Sequence, residues 1–227
     1  MEPLGRDSGP MDTAGIIAHL RSLRNPANIE GQRQFGIKPR LEHLGIAMPE
    51  LRRLARGHRR NHALALELWG SGVHEAQVLA AHVDDPLQVT SGQMEAWVRT
   101  FDSWAICDQV CMNLFDRTPH AVAKAASWST RRSEYVRRAG FALMASLAWH
   151  QKDLPDRVFR DFLPMIRREA SDDRNFVKKA ANWALRQIGK RNPALRRAAI
   201  AEARRIRRLG SRSARWIAAD ALRELER

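Results

Sequence analysis

Four residues stand out for their types and spacing. Trp104 and Asp108 lie four apart in Ser103-Trp104-Ala105-Ile106-Cys107-Asp108, so on a helix the ring and the carboxylate share one face, a turn apart. Asp108 falls beyond the first turn, where capping would explain a carboxylate. A salt bridge to a neighbouring helix is the plain alternative for a lone Asp. Arg138 follows Arg137 in Tyr135-Val136-Arg137-Arg138-Ala139-Gly140. With Val136, Gly140, Leu143 and Leu147 read as the core stripe of that helix, Arg138 is expected on the opposite side, facing a groove. Trp183 sits among Lys178, Lys179 and Arg186. An aromatic interleaved with cations suits a sugar or base stacked on the ring while the cations hold phosphates. Taken singly, each of these tryptophans equally suits a core position.

Charge supports the same partner class. Lys and Arg number 39 against 25 Asp and Glu, a formal charge of +14 over 227 residues. From Arg186 to Arg227 there are 13 basic residues and four acidic ones (Glu202, Asp220, Glu224, Glu226), a net +9. An excess concentrated in the last helices is a local electrostatic footprint that suits phosphate contacts. Lys190, Arg191, Arg212 and Arg215 belong to this region and join Arg137, Lys178, Lys179 and Arg186 as candidate DNA contacts.

The elements that must position these residues are helical. Turn signals recur at Asn25-Pro26, Met48-Pro49, Ser71-Gly72, Asp85-Pro86, Thr118-Pro119, Leu154-Pro155, Asn192-Pro193 and Gly210-Ser211, and no alternating strand pattern separates them. About twelve short helices follow, with Pro49 at a first helical position and Ser91 capping another. The segments repeat: Tyr135-Val136-Arg137-Arg138-Ala139-Gly140 matches Phe176-Val177-Lys178-Lys179-Ala180-Ala181 at an offset of 41. Ala180 to Arg186 in turn resembles Ala218 to Arg223. A helical period of about 40 points to HEAT-like helix pairs stacked into an all-α solenoid, whose concave face suits a rod such as duplex DNA. A flexible N-terminal tail over 1–11 and a single repeat domain over 12–227 are expected.

Other classes fit poorly. Hydrophobic residues make up 44%, ample for a core, but apolar runs fall short of the roughly 20 residues that span a bilayer. The acidic, polar start lacks the form of a secretory signal; a cytoplasmic protein is expected. Cys107 and Cys111, at i,i+4, suit neither a disulfide nor a zinc site and read as small packing residues. His58 and His62 read as surface residues in a basic stretch.

The chain resembles the AlkD-type DNA alkylation-repair glycosylases, a HEAT-like family. The resemblance runs from about Gln34 to Arg227. It rests on Leu44-Gly45-Ile46-Ala47-Met48-Pro49 with Leu51-Arg52, on Trp104-x3-Asp108, on Arg137-Arg138-Ala139, and on Phe176-x2-Lys179-Ala180-x2-Trp183-x-Leu185-Arg186. Two positions depart from the family pattern: Gly36, beside Phe35, replaces a Tyr, and Ala105 occupies a site often acidic. The resemblance implies that Asp108 is the catalytic carboxylate, that Trp104 and Trp183 contact the damaged nucleoside, and that Arg138 grips a nearby phosphate. The implied substrate is duplex DNA carrying N3-alkyladenine or N7-alkylguanine. These bases already carry a positive charge and leave readily, so one carboxylate suffices to stabilise an oxocarbenium-like sugar and orient water, without the second carboxylate of glycosidases. No Lys is placed as a Schiff-base nucleophile and no helix-hairpin-helix turn occurs, so a monofunctional hydrolase, working without cofactor or metal as a monomer, is expected. A catalytically silent HEAT-like DNA-binding module and a protein-interaction solenoid are the rival readings.

Overall fold

A computed structural model describes residues 11–227; most of the expected N-terminal tail lies outside the described residues. These contain thirteen α-helices and no strand beyond a single bridge between Glu42 and Val73. The chain groups into two compact units, divided after Gln88.

The first unit holds α1 (Thr13–Ser22), α2 (Pro26–Gln34), α3 (Met48–Ala55), α4 (His62–Gly70) and α5 (His74–Val83). Helix α5 packs on α1, α3 and α4 and is buried almost throughout. From its first turn, the Glu75 carboxylate accepts backbone N–H groups of Leu44 (3.0 Å), Gly45 (2.6 Å) and Ile46 (3.4 Å). One buried anion thus satisfies three amides of the Leu44-Gly45-Ile46 turn, which would otherwise be stranded from water. Gly45 has φ of 72°, and a Cβ there would meet the Asn25 carbonyl at 2.5 Å, so the turn needs glycine.

The second unit holds α6 (Ser91–Val98), α7 (Trp104–Asn113), α8 (Ala121–Trp128), α9 (Glu134–His150), α10 (Asp156–Glu169), α11 (Asn175–Lys190), α12 (Pro193–Arg207) and α13 (Arg212–Leu225). Helices α7, α9, α11 and α13 pack in succession as one row, and α8, α10 and α12 form a second row against them. The two six-residue matching segments begin α9 and α11, which are neighbours, and their equivalent rings Tyr135 and Phe176 stack 6.0 Å apart. The sequence repeat is therefore the structural repeat. Among the described residues no helix is long and apolar enough to cross a membrane.

Most expected boundaries coincide with the observed ones. Asn25 and Asn192 cap α2 and α12 through their side chains, with proline at the first helical position. Three local expectations are corrected. Pro49 is the second residue of α3, after Met48. Thr90, not Ser91, caps α6, its hydroxyl accepting from the Gln93 N–H at 3.0 Å. His58 is buried, and His62 is half-buried with Nδ1 2.7 Å from Asp84 Oδ1. The two histidines turn inward while Arg56, Arg59 and Arg60 beside them stay exposed.

The tightest approach in the second unit is at Gly140, where a Cβ would stand 2.4 Å from the backbone nitrogen of Ser129 at the end of α8. Backbone meets backbone there, so neither partner can swing away. Gly140→Ala is expected to lower stability by about 2 kcal/mol, read as a fall in the urea midpoint at unchanged slope; an unchanged midpoint would show that α8 and α9 separate freely.

Candidate functional site

Helix α7 starts at Trp104, capped by the Ser103 hydroxyl, which accepts from the Ile106 N–H at 3.4 Å. The cap fixes the start and so the rotation that turns Trp104 and Asp108 to the same side. The Cys107 and Cys111 thiols on α7 approach the carbonyls of Tyr135 and Ala139 on α9 at 3.8 and 3.7 Å. They are packing residues that set α7 against α9.

Across that seam Asp108 meets Arg138. Arg138 Nε donates to Asp108 Oδ1 at 2.9 Å and Nη2 to Oδ2 at 2.7 Å, a parallel two-point fork. Its Nη1 donates to the Phe176 carbonyl in the first turn of α11 at 2.7 Å. One guanidinium therefore ties three consecutive helices of the row together. The expected groove-facing placement of Arg138 is corrected: it is buried. Helix α9 is packed by α7, α8 and α11, and every residue from Arg138 to Ala148 is buried, so a single core stripe does not describe it.

The Asp108 side chain keeps 17% of its surface exposed against 7% for Arg138, so it is the more open member of a largely buried pair. Burial pushes its carboxyl above the ordinary value while Arg138 opposes that rise. For Arg138, burial works against the charged form, but the adjacent Asp108 more than offsets it and the guanidinium is held more firmly protonated. The result is an oriented acidic group at the edge of the row, its two oxygens fixed by a neighbour.

Trp104 and Trp183 are both half-buried. Trp104 is one turn before Asp108 on α7. Trp183 is two turns past Phe176 on α11, about 10 Å along the axis, and Phe176, Lys179 and Trp183 share a face at i, i+3 and i+7. The structure thus joins Asp108 to Arg138 directly and puts Trp183 on the helix whose first turn receives Arg138.

The candidate DNA contacts divide sharply. Arg137 bridges Glu169 (2.9 Å) and Asp172 (2.8 Å). Arg186 and Lys190 both pair with Glu224 on α13. Arg191 donates to the carbonyls of Ala148, Lys152 and Leu154, at 3.3, 2.6 and 2.8 Å, and stands 4.3 Å from the Phe159 ring centre. These four have partners within the fold, Lys190 while still exposed. Lys178 stands 5.6 Å above the ring of Trp216, not beside Trp183. Lys179, Arg212 and Arg215 are exposed, and the polar contact of Arg215 is to the Gly210 carbonyl, which leaves its charge uncompensated. Sequence reasoning passed over Trp216 and Glu75. The cluster Arg212-x2-Arg215-Trp216 carries the same aromatic-among-cations signal as Trp183; nothing local marks Glu75.

A family model described as DNA alkylation repair enzyme matches residues 16–225. The chain belongs to this family. The chain is similar to a solved structure described as a new family of proteins related to the HEAT-like repeat DNA glycosylases with affinity for branched DNA structures, with a TM-score of 0.75 and 19% identity over 86% of this chain and 83% of that one. At that identity the likeness speaks for the fold, which is HEAT-like. An uncharacterized protein of Listeria innocua, Lin0241, is 24% identical over 144 residues, which is 62% of this chain and 63% of the relative.

The division among the cations has a direct consequence. Arg191→Ala removes three hydrogen bonds and a stacked contact, and is expected to lower stability by about 2 kcal/mol. Lys179→Ala, on an exposed face, is expected to stay within about 0.5 kcal/mol of the parent. Denaturation midpoints check both; equal effects would mean that the two cations are not differently engaged.

Proposed function

We propose that the chain is a monofunctional DNA glycosylase that releases cationic alkylated bases, N3-alkyladenine and N7-alkylguanine, from duplex DNA. The observation that carries this reading is the Asp108 carboxylate, oriented by the Arg138 fork one turn after half-buried Trp104 on α7 and joined through the same guanidinium to α11, which carries half-buried Trp183. Family membership supports the repair role.

The chemistry matches what one oriented carboxylate does well. With the base already positively charged, the glycosidic bond breaks with little need for an acid, and positive charge builds on the deoxyribose. Asp108 faces that charge as a fixed anion and accepts a hydrogen bond from the water that adds to the sugar. Because both oxygens are drawn to Arg138, the carboxylate is a poor nucleophile and acts by its field. Arg138 is a positioning residue, and its guanidinium does not touch the sugar. The faces of Trp104 and Trp183 pack against the nucleoside and favour the developing cation. Lys179, Arg212 and Arg215 are the cations left to meet phosphates.

The second reading, a silent HEAT-like DNA-binding protein, is favoured by the same ion pair, since a buried carboxylate with a full partner is also a plain helix-to-helix tie. One experiment separates them. Duplex DNA containing N7-methylguanine is incubated with the parent chain and with Asp108→Asn, and free base is measured. The expected result is release by the parent and a loss of about 10²- to 10³-fold in the variant, with binding retained and falling steeply with salt in both. Salt-dependent binding without release by the parent overturns the glycosylase reading in favour of the silent one.

A further inference from the structure

Trp216 is 40% exposed, an unusual placement for the largest apolar side chain in a region where its neighbours on α13, Ala214, Ile217 and Ala218, are fully buried. It follows Arg215 and stands one turn after Arg212, so three adjacent positions on one face of α13 read cation, cation, aromatic. Lys178 approaches the ring from α11 with its ammonium 5.6 Å from the centroid, and exposed Lys179 follows it. One turn further along α13, Ala219 is exposed and small and adds no bulk beside the ring. The acidic groups in reach of this patch are already occupied: Asp220 pairs with Arg223, and Glu224 with Arg186 and Lys190. The patch therefore combines a part-exposed indole, with Lys178 over its ring, and four cations that have no carboxylate partner among the described residues.

We propose that Trp216, with Lys178, Lys179, Arg212 and Arg215 around it, is a stacking site for an unpaired nucleobase, so that the chain binds DNA carrying a single-stranded stretch beside duplex more tightly than fully paired DNA. Bases inside a duplex have both faces covered by their neighbours, and only an unpaired base can lie flat on a surface ring. Every base offers such a face, so the site is tolerant of sequence, while the cations track the backbone on either side. Lys178 holds the ring from one side and places positive charge where the phosphate of the stacked nucleotide runs. The proposal rests on the DNA-binding part of the reading above and not on Asp108.

The test is a fluorescence-anisotropy titration of the full chain with three labelled DNAs: a blunt duplex, the same duplex with a short thymidine overhang, and that duplex with abasic spacers replacing the overhang bases. The parent is expected to prefer the thymidine overhang about tenfold over both others. Trp216→Ala is expected to lose that preference while holding blunt duplex within about twofold, and Trp216→Phe to keep most of it. Equal affinity of the parent for thymidine and abasic overhangs overturns the proposal without recourse to any variant. Loss of blunt-duplex binding in step with overhang binding in a folded Trp216→Ala chain also overturns it, because the ring would then pack on duplex backbone. Binding of no DNA at all overturns this proposal and the DNA-binding reading together, whereas absence of base release alone touches only the glycosylase reading.

Discussion

The two-point contact between Asp108 and Arg138 is the constraint on which the second unit turns. Three helices that are separate in sequence meet at one guanidinium: α7 through the carboxylate, α9 through its own backbone, α11 through the Phe176 carbonyl. Taking either charge away leaves the other buried without a partner, which typically costs about 3–5 kcal/mol. That penalty ties the chemistry to the packing. The carboxylate proposed to face the sugar is also the group that locks α7 to α9, so its orientation comes with the fold and needs no rearrangement when DNA arrives. Such preorganisation is what makes a fixed charge effective on a developing cation.

The same logic governs the positive charge. A formal +14 suggests a uniformly sticky surface, yet much of it is consumed in holding helices together. Arg137 pins the start of α9 to Glu169 and Asp172, Arg191 ties three carbonyls, and Arg186 and Lys190 clamp α11 to Glu224. What remains free near the aromatic side chains is a small group at the starts of α11 and α13. Partial neutralisation concentrates the footprint on that group, which sharpens where a backbone could run.

Local features of the fold were readable along the chain because their causes are local. Asn25-Pro26 and Asn192-Pro193 start helices by capping and by a preset φ, and both effects need only a few neighbouring residues. The repeat was readable because α9 and α11 place Tyr135 and Phe176 in the same relation to their neighbours. Tertiary partnership was not. Arg138 looked like a groove residue on helical periodicity, but its helix is enclosed on several sides, and its partner lies 30 residues away. Glu75 carries no mark of the three amides that it collects, since those come from a turn about 30 positions earlier. Adjacent lysines at 178 and 179 are identical in type, and only the neighbouring helix decides that one covers Trp216 while the other faces out. The family motifs supplied the site residues; packing alone reveals which of them are already engaged.

The central claim, that Asp108 and Arg138 act as one coupled unit across α7 and α9, is open to direct measurement by a double-mutant cycle on stability with Asp108→Asn, Arg138→Gln and the pair together. Burial already holds the Asp108 carboxyl above its ordinary value, and loss of Arg138 pushes it further up. The attraction between the two groups needs the charged carboxylate, so acidification weakens the fork in the parent, while in the single Arg138 variant protonation relieves an anion buried without its cation. The expected coupling is therefore about 2–3 kcal/mol at pH 7.5 and clearly smaller at pH 4.5. Additive effects of the two substitutions at both pH values, or a coupling that grows on acidification, would contradict it.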